Sequence, residues 1–575
     1  MIRAHMVLLL SVLTGCTETI TFRSPLENLA GLEITPGDAL VTLNDIQLPE
    51  AQHHRLQYTA IGTFLDGSTS DVTQYVDWSI DNELLGRVEP GGLFIASHTA
   101  AGYATVTAGK RGFTATAKLT IHIDATLVDT TYPPPRAGLF DPANPVIGGE
   151  PTRSPTLIYP AEGTIMPQGV SRTVFQFLRG TGNDAFQLRF DSDVLQLRIE
   201  LGGNAVDRWE ADNGLQMVIA GSGIAAPIRV EVRATSSIGT GVVYAGNHIM
   251  LAFTRDRPLG PLYYRAATVT GPVPADGITR GGLDIPNASK MYPSGTTCVG
   301  CHAVTRDATA MAMGYDITSS IDLQAIDLVT LAPKIVANGT RPTGWATYSP
   351  DNTRVLVAND GVLKLYDASN GNSLGSVPLP SMRWATHPDW SPDGNYVAVA
   401  LTSQQPTNRD VKAASIARIP YNSGTWGAPE ILVNGSTTSN NYFPRYSPDG
   451  KRLLYVHAAS TSQGATTAEL MLMPAGGGNA VLLRIASHRV GTFNDMPDLS
   501  NTMPAWSQQV GERAWIAFVS ARPYGNVKPT IGGGQIWIAS LDPTQALDSA
   551  AFWLPCQNSN AFNYNPVWSA NPIEP

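Results

Sequence analysis

The sequence has few cysteines and few charged residues, and both shortages limit what the chain can be. Only four of its 575 residues are cysteine, so the fold must be held by its apolar cores and not by a set of disulfides. Charged residues make up 15% of the chain, and 47 acidic against 38 basic side chains give a net charge of -9. No basic stripe is left to neutralise phosphates, which argues against nucleic acid as a partner.

Long amphipathic helices and long apolar runs are also missing. Beyond the N-terminus, no stretch of the sequence is long and apolar enough to cross a membrane. In their place, 54 glycines and 42 prolines interrupt short apolar runs, as in chains built from many short strands joined by turns. The composition therefore predicts an all-β protein, and the length predicts about three or four domains.

The N-terminus has the features of an export signal. After a short basic start, residues 6–13 form an apolar run, and Leu13-Thr14-Gly15-Cys16 follows as a cleavage site of small residues. This segment resembles a bacterial lipoprotein signal with its lipobox. The resemblance implies that Cys16 becomes the first residue and carries acyl chains. We therefore expect a lipid-anchored protein of the cell envelope, at the outer membrane or the periplasmic face.

Two β-sandwiches are predicted before the middle of the chain. Tyr58-Thr-Ala-Ile-Gly62-Thr-Phe64 alternates apolar and polar residues into a tight turn, as a half-buried hairpin does. With the runs Gly86 to Phe94 and Ala101 to Ala108, it resembles the bacterial immunoglobulin-like group 2 domain, which implies a spacer or adhesive sandwich. Beyond a proline-rich connector, alternating runs such as Phe186-Gln-Leu-Arg-Phe190 predict a second sandwich, weakly similar to fibronectin type III modules.

The C-terminal half contains an internal repeat. Tyr348-Ser349-Pro350-Asp351, Trp390-Ser391-Pro392-Asp393 and Tyr446-Ser447-Pro448-Asp449 each lead into a second apolar run, and degenerate copies begin at Trp506 and Trp568. The intervals suit four-stranded blades, and proline with aspartate suits the tight turn between two strands. These repeats resemble the TolB-like propeller family, which implies a β-propeller.

The number of repeats predicts six blades and a particular closure. Cys301-His302-Ala303-Val304-Thr305 aligns with the start of the repeat, so this motif is the entrance to a divergent blade. The last entrance, at Trp568, has almost no chain left to complete its blade. We therefore predict that strands near Leu262-Tyr-Tyr-Arg265 and Ile278-Thr-Arg280 complete it from the N-terminal side, which removes exposed edges.

Cys298-Val299-Gly300-Cys301-His302 has the spacing of a covalent haem site. Two thiols separated by two residues can each form a thioether to a haem vinyl group, and the adjacent histidine can bind the iron. The motif resembles the attachment site of c-type cytochromes, which implies haem c on Cys298 and Cys301 with His302 as proximal iron ligand. A local disulfide or a redox-active pair remains as an alternative, and a zinc site is less favoured.

The repeat also indicates where a sixth iron ligand would be. Residues aligned with Cys301 should face the same mouth of the propeller. Of these, His387 and Met503 are the strong iron ligands and thus the distal candidates, although His387 could instead cap the repeat and Met503 could simply pack. The full aligned set is Trp345, His387, Phe443, Met503 and Asn565.

These patterns favour an electron carrier or a binding protein over an enzyme. The main hypothesis is electron transfer at the envelope by a covalent haem, with a redox partner protein. The alternative is a non-enzymatic lipoprotein whose propeller mouth binds a protein or peptide and whose cysteine pair is structural. A peroxidase would need acid and base groups near the iron, but Arg306 and Asp307 align with turn residues, and no nucleophile elbow supports a hydrolase.

The predicted fold class is all-β, with immunoglobulin-like β-sandwich domains followed by a six-bladed β-propeller. The predicted boundaries are a signal peptide over 1–15, a tether over 16–28, the immunoglobulin-like group 2 domain over 29–123, a proline-rich linker over 124–155, the fibronectin- or immunoglobulin-like sandwich over 156–255, and the TolB-like propeller over 256–575 with the haem motif at 298–302.

Overall fold

The chain folds into two compact units. Of the described residues, the first unit contains those up to Val41 together with Pro49–Ser97 and Tyr103–Thr120, and the second contains Thr42–Leu48, His98–Gly102 and those from Ile121 onward. Strands dominate both, so the all-β prediction is confirmed. The computed structural model describes residues 25–203, 206–239, 241–268, 276–284, 289–293, 299–317, 320–487, 500–510, 513–526, 534–542 and 547–569.

The first unit consists of short strands around an apolar core in which Tyr58, Phe94 and Val106 are fully buried. Gly92 is required at the turn before one strand, because its φ is +79° and a Cβ there would lie 2.3 Å from the Tyr58 carbonyl oxygen. The unit also has a short 3-10 helix at Glu50–Gln52. Its strands are Leu29–Thr35, Asp38–Leu43, Arg55–Gln57, Thr59–Phe64, Thr69–Asp71, Asp77–Ile80, Gly86–Val88, Leu93–Ala96, Gly102–Lys110 and Phe113–Val128, of which the second and the last two have residues in the second unit.

The second unit begins with a sheet and a buried helix. The strand Val243–Thr254 pairs in parallel with Val146–Gly148 and with Thr164–Pro167. The helix Asn213–Ala225 was not expected from the sequence, and Asp212 caps it by accepting a hydrogen bond from the Leu215 backbone. The remaining strands of this region are Thr156–Tyr159, Val174–Leu178, Ala185–Asp191, Leu195–Gly202, Arg208–Glu210, Ile228–Thr235 and Arg257–Leu259.

The rest of the second unit forms six sheets in the described residues, each a blade. Blade 1 is Val299–Val304, Ala310–Ile317, Ser320–Asp327 and Pro333–Ile335; blade 2 is Trp345–Tyr348, Arg354–Asn359, Val362–Asp367 and Ser373–Ser376; blade 3 is Trp384–Trp390, Tyr396–Thr402, Ser415–Asn422, Thr425–Trp426 and Glu430–Val433. Blade 4 is Asn440–Tyr446, Arg452–Ala458, Glu469–Pro474 and Val481–Leu482, followed by the short helix Arg484–Ser487; blade 5 is Thr502–Trp506, Ala514–Ser520, Gln535–Asp542, Leu547–Asp548 and Phe552–Trp553; blade 6 is Ala561–Trp568, Leu262–Thr268, Asp276–Gly281 and Ser289–Pro293. The strand Gln508–Val510 pairs separately with Arg257–Leu259.

The six blades close into a ring, as predicted. The first strand of each blade contacts the first strand of the next, and blade 6 contacts blade 1. The closing blade joins both ends of this region, because Leu262–Thr268 pairs with Ala561–Trp568 on one side and with Asp276–Gly281 on the other. The predicted completion of the last blade from the N-terminal side is therefore confirmed.

Buried apolar side chains join neighbouring blades. Met311 and Met313 of blade 1 pack against Tyr263 and Ile278 of blade 6, so both methionines fill the core between these blades. Cys556 is also buried, and burial raises the pKa of its thiol to about 11. Among the described residues, neither helix has the length and apolar character needed to cross a membrane.

Candidate functional site

A bulge recurs in the first strands of the ring, at the position aligned with Cys301. At each bulge one residue has a left-handed backbone and the pairing with the second strand shifts by one residue. Trp345 of blade 2 is the exception, since it pairs regularly with Ala358. The bulged residues and their φ values are Cys301 (44°), His387 (51°), Phe443 (51°), Met503 (50°) and Asn565 (51°).

The residue after each bulged position separates blade 1 from the others. In blades 3 to 6 it is proline, which lacks the N–H that a regular ladder would use and therefore suits a bulge. In blade 1 it is His302. The cysteine motif thus lies at the one bulge where the proline is replaced by a residue that can bind a metal. The four prolines are Pro388, Pro444, Pro504 and Pro566.

His302 lies at the contact between blade 1 and blade 6, which we call the seam, and is only 3% exposed. Its Nε2 is 3.3 Å from the Tyr263 carbonyl oxygen, and its Nδ1 is 3.4 Å from the Asn565 amide nitrogen, which also donates to the His302 carbonyl at 3.0 Å. These partners assign a neutral ring with the proton on Nε2. Burial lowers the pKa of His302 to about 4. The imidazole therefore links the closing blade to its neighbour.

This arrangement does not fit a haem bound through His302. An iron ligand must direct its nitrogen at the metal, but Nε2 is directed at a backbone carbonyl in a buried seam. Cys301 is partly exposed beside it. Within the described part of the chain, no group of three or more histidine, cysteine, aspartate or glutamate residues could hold a metal ion. Cys298 and Cys16, predicted to carry haem and lipid, lie outside the described residues.

Aromatic side chains from three blades meet at the level of the bulges. The His387 ring centroid is 3.7 Å from that of Phe443 and 5.0 Å from that of Trp345. Trp345 of blade 2 also contacts Phe443 of blade 4, at 4.7 Å between centroids. A contact that passes over blade 3 requires both rings to lie near the axis of the ring. We call Trp345, His387 and Phe443 the aromatic layer.

The two predicted distal ligands occupy different surroundings. His387 is 4% exposed, and its Nδ1 has no hydrogen-bond partner among the described residues. Burial, together with the charge of Arg445, holds the pKa of His387 well below its ordinary value. Met503, on blade 5, is partly exposed. The His387 ring of blade 3 packs against aromatic rings of blades 2 and 4, whereas the His302 ring lies at the contact between blades 1 and 6. The two imidazoles therefore have different neighbours in the ring of blades.

A group of charged residues near the axis was missed by the sequence analysis. Asp389 and Arg445 occupy the repeat position two residues after the bulge, where the other blades carry uncharged residues. Arg306, predicted to be a turn residue, also donates a hydrogen bond to the Trp390 carbonyl of blade 3 at 3.5 Å. The repeat alignment could have indicated this group, because it places two opposite charges, Asp389 and Arg445, at a position that is uncharged in the other blades. The uncharged residues are Ala303, Thr347, Ala505 and Val567.

No protein-family model matches this chain, and no curated protein matches it. Solved structures similar to it include TolB from Acinetobacter baumannii, which is 14% identical with a TM-score of 0.38, over 60% of this chain and 80% of that chain. A putative TolB from Agrobacterium tumefaciens is 12% identical with a TM-score of 0.32, over 53% of this chain and 97% of that chain.

Hydrazine synthase from Kuenenia stuttgartiensis is also similar, at 14% identity and a TM-score of 0.30, over 48% of this chain and 92% of that chain. Likeness at this level carries no conclusion about activity, ligand or partner. The six-bladed ring rests on the strand pairing of this chain.

Proposed function

We propose that this chain is a non-enzymatic binding protein of the cell envelope, anchored by lipid on Cys16, whose propeller mouth binds a protein or peptide. The observation that carries the proposal is the convergence of side chains from different blades at the axis, where Trp345 and Phe443 meet across blade 3. Tryptophan, phenylalanine and methionine are side chains enriched in protein interfaces. Met503, partly exposed at the same level, offers contact area to a ligand.

The surroundings of the aromatic layer favour binding over chemistry. Its titratable member, His387, is packed against rings and has no hydrogen-bond partner among the described residues, so nothing orients it as a general base. Its lowered pKa keeps the ring neutral at physiological pH. The three rings are almost fully buried, so the neutral layer supports apolar contact through partly exposed neighbours such as Met503 and offers no group for proton transfer.

Photocrosslinking in cells tests the proposal. Benzoylphenylalanine is placed at Met503 and, as a matched control, at Met471, a partly buried methionine on the third strand of blade 4. We expect a discrete crosslinked protein or peptide from position 503 that is absent from position 471 and disappears in Phe443→Ala. Equal adducts from both positions, or none from position 503, would contradict the proposal.

A covalent haem at Cys298 and Cys301 is the second candidate function, with electron transfer to a redox partner. Two observations support it: the five-residue motif is complete, and His302 replaces the proline found at the other bulges. Haem c would supply a one-electron redox centre. The candidate requires the His302 ring to leave the Tyr263 carbonyl and open the seam between blades 1 and 6.

The pyridine haemochrome spectrum tests this candidate after expression with the cytochrome c maturation machinery. The expected result is a c-type α-band that survives denaturation and vanishes in Cys298→Ala/Cys301→Ala. His302→Pro serves as a second variant, because it restores the residue of the other bulges and should preserve the ring while removing the proximal ligand. Absence of covalent haem in the wild type would leave the cysteine pair with a structural role.

A further inference from the structure

Two arginines lie along the free edge of one inner strand. In blade 3, the Ser391 N–H donates to the Tyr396 carbonyl. Because the backbone groups of alternate residues point at the second strand, the carbonyls of Pro388 and Trp390 point away from it. Arg445 donates to the Pro388 carbonyl at 3.3 Å, and Arg306 donates to the Trp390 carbonyl at 3.5 Å. Carbonyls two residues apart on one strand edge are about 7 Å from each other. Both guanidinium groups therefore lie on the same short stretch of strand edge.

This edge faces the channel of the ring. Innermost strands have no strand partner on the side of the propeller axis. Arg306 comes from the turn of blade 1 and reaches blade 3 past blade 2, which is possible only near the axis. The same turn position in blades 2, 3 and 4 holds proline, so the long cationic side chain is particular to blade 1. The three prolines are Pro350, Pro392 and Pro448.

The carboxylates near the two arginines are already bound by other groups. Asp389 Oδ1 lies 3.7 Å from the nearest Arg445 nitrogen, while Oδ2 accepts a hydrogen bond from the Tyr446 backbone at 2.7 Å. The next carboxylate, Asp393, is bound within its own turn by the Ser391 hydroxyl. Asp389 acts electrostatically on both arginines and Asp393 on Arg306, but among the described residues neither carboxylate accepts a hydrogen bond from a guanidinium group.

The two guanidinium groups also have more N–H donors than the described residues accept. Each carries five N–H groups, and for each the described residues provide one hydrogen-bond acceptor, a backbone carbonyl. Burial lowers the pKa of both arginines. Neither arginine is sealed off, since Arg306 is partly exposed and the Arg445 side chain keeps 16% exposure. A partly desolvated cation with unused donors gains more from an oxyanion than one in bulk water does.

We propose that Arg306 and Arg445 form a carboxylate-binding site in the channel of the ring. The planar fork of a guanidinium matches the two oxygens of a carboxylate, and two forks bound to carbonyls about 7 Å apart on one strand edge can hold one group between them. This inference rests on the proposed binding function and names the group by which the ligand is anchored. The carboxylate belongs to a peptide or to a free small molecule, and the experiment separates these sources.

Asp389 provides the decisive variant. If the arginines serve only to neutralise Asp389, the wild type has no affinity for carboxylates, and only Asp389→Asn, which uncovers their positive charge, can gain it. If they form a binding site, Asp389→Asn removes a competing negative charge and must strengthen carboxylate binding. A merely destabilising change cannot produce tighter binding, so this variant remains informative even where Arg445→Gln fails to fold.

The experiment is calorimetric titration of the full mature chain at constant ionic strength. Succinate represents a free small carboxylate, acetyl-tetraalanine with a free C-terminus represents a peptide end, and its C-terminal amide is the uncharged control. We expect saturable binding of at least one acid and none of the amide. Affinity should fall at least tenfold in Arg306→Gln and Arg445→Gln and rise several-fold in Asp389→Asn. Lys364→Gln, which removes an exposed charge on the third strand of blade 2, should leave it unchanged.

Several results would overturn the site: no binding of either acid, equal affinity in wild type and Arg306→Gln, or weaker binding in Asp389→Asn. Binding of succinate alone would assign the site to a free carboxylate, and binding of the peptide acid alone would assign it to a chain end. Crosslinking at Met503 without any carboxylate binding would reject this inference and retain the binding function. Carboxylate binding without a crosslink would retain the carboxylate site and reject the binding of a protein or peptide.

Discussion

Residues at the bulges have a left-handed backbone, and one of them, Asn565, also makes a specific side-chain hydrogen bond. Left-handed φ costs a residue other than glycine about 1–2 kcal/mol, and asparagine tolerates it best. Asn565 uses that tolerance, because its side chain donates to the His302 carbonyl at 3.0 Å while its own φ is 51°. The residue therefore contributes both to the bulge of blade 6 and to the seam with blade 1.

Replacing Asn565 with alanine should lower the free energy of unfolding by about 2–3 kcal/mol, from the lost buried hydrogen bond and the added backbone strain. Chemical denaturation of the mature chain measures the change. Asn560→Ala is the matched control, since Asn560 is exposed. Equal stability of the two variants would show that the Asn565 side chain does not hold the seam.

The buried His387 predicts that acidification destabilises the protein. Because the folded pKa of His387 is well below 6.5, the unfolded chain binds a proton at a higher pH than the folded chain does. Stability from this group is complete above about pH 7.5 and is lost as the pH falls below about 6.5. The melting temperature should thus fall between pH 7.5 and 5.5, and the fall should be smaller in His387→Phe. His302, whose pKa is also lowered, accounts for a fall that remains. An unchanged slope in the variant would contradict this assignment.

At the scale of strands and helices, the sequence predicted the features that depend on residues close together in the chain, such as the turns that mark each blade. The Ser-Pro-Asp turns locate the blades because the serine hydroxyl binds the aspartate within the turn, as Ser391 does to Asp393 at 2.6 Å. The alignment identified the five positions but did not predict the bulges, and Trp345 pairs regularly, because a bulge depends on the register of the partner strand as well as on the repeat. The charged channel was missed because Arg306 reaches blade 3 only in the closed ring.

The helix Asn213–Ala225 was missed for a different reason. Most of its residues between Leu215 and Gly223 are buried, so it lacks the polar face that makes a helix visible in a sequence. Glycines inside it, which lower helix propensity, permit close packing. A Cβ at Gly223 would lie 2.4 Å from the ring of Phe253. Packing therefore selects residues that helix propensity alone would reject.

Gly223→Ala tests which effect dominates in this helix. Helix propensity favours alanine by about 1 kcal/mol, but the clash with Phe253 should outweigh it and give a net loss of about 1–3 kcal/mol. Thermal and chemical unfolding measure the difference. Gly214→Ala, at the exposed start of the same helix, is the control and should be at least as stable as the wild type. A stabilised Gly223→Ala would mean that the helix does not approach Phe253 so closely.

At the scale of the whole molecule, the propeller depends on two distant segments of the chain. Blade 6 takes its first strand from Ala561–Trp568 and its other strands from residues that precede blade 1. His302 and Asn565 add side-chain hydrogen bonds across the adjacent seam. Since every blade packs on its neighbours, loss of the closing strand would expose an edge of Leu262–Thr268 and open the ring.

Ending the chain after Asn560 should therefore abolish the folded propeller, a loss comparable to the whole free energy of unfolding of a domain, about 5–15 kcal/mol. Ending it after Ser569 keeps the closing strand and the hydrogen bond from the Ser569 N–H to the Pro261 carbonyl, and should give a melting temperature far above that of the shorter chain. Limited proteolysis and calorimetry distinguish the two truncations. A synthetic peptide of residues 561–569 added to the shorter chain should restore protection, because the strand pairs with Leu262–Thr268 without needing a covalent link to blade 5. A shorter chain that melts like the longer one would show that five blades hold the ring without the closing strand.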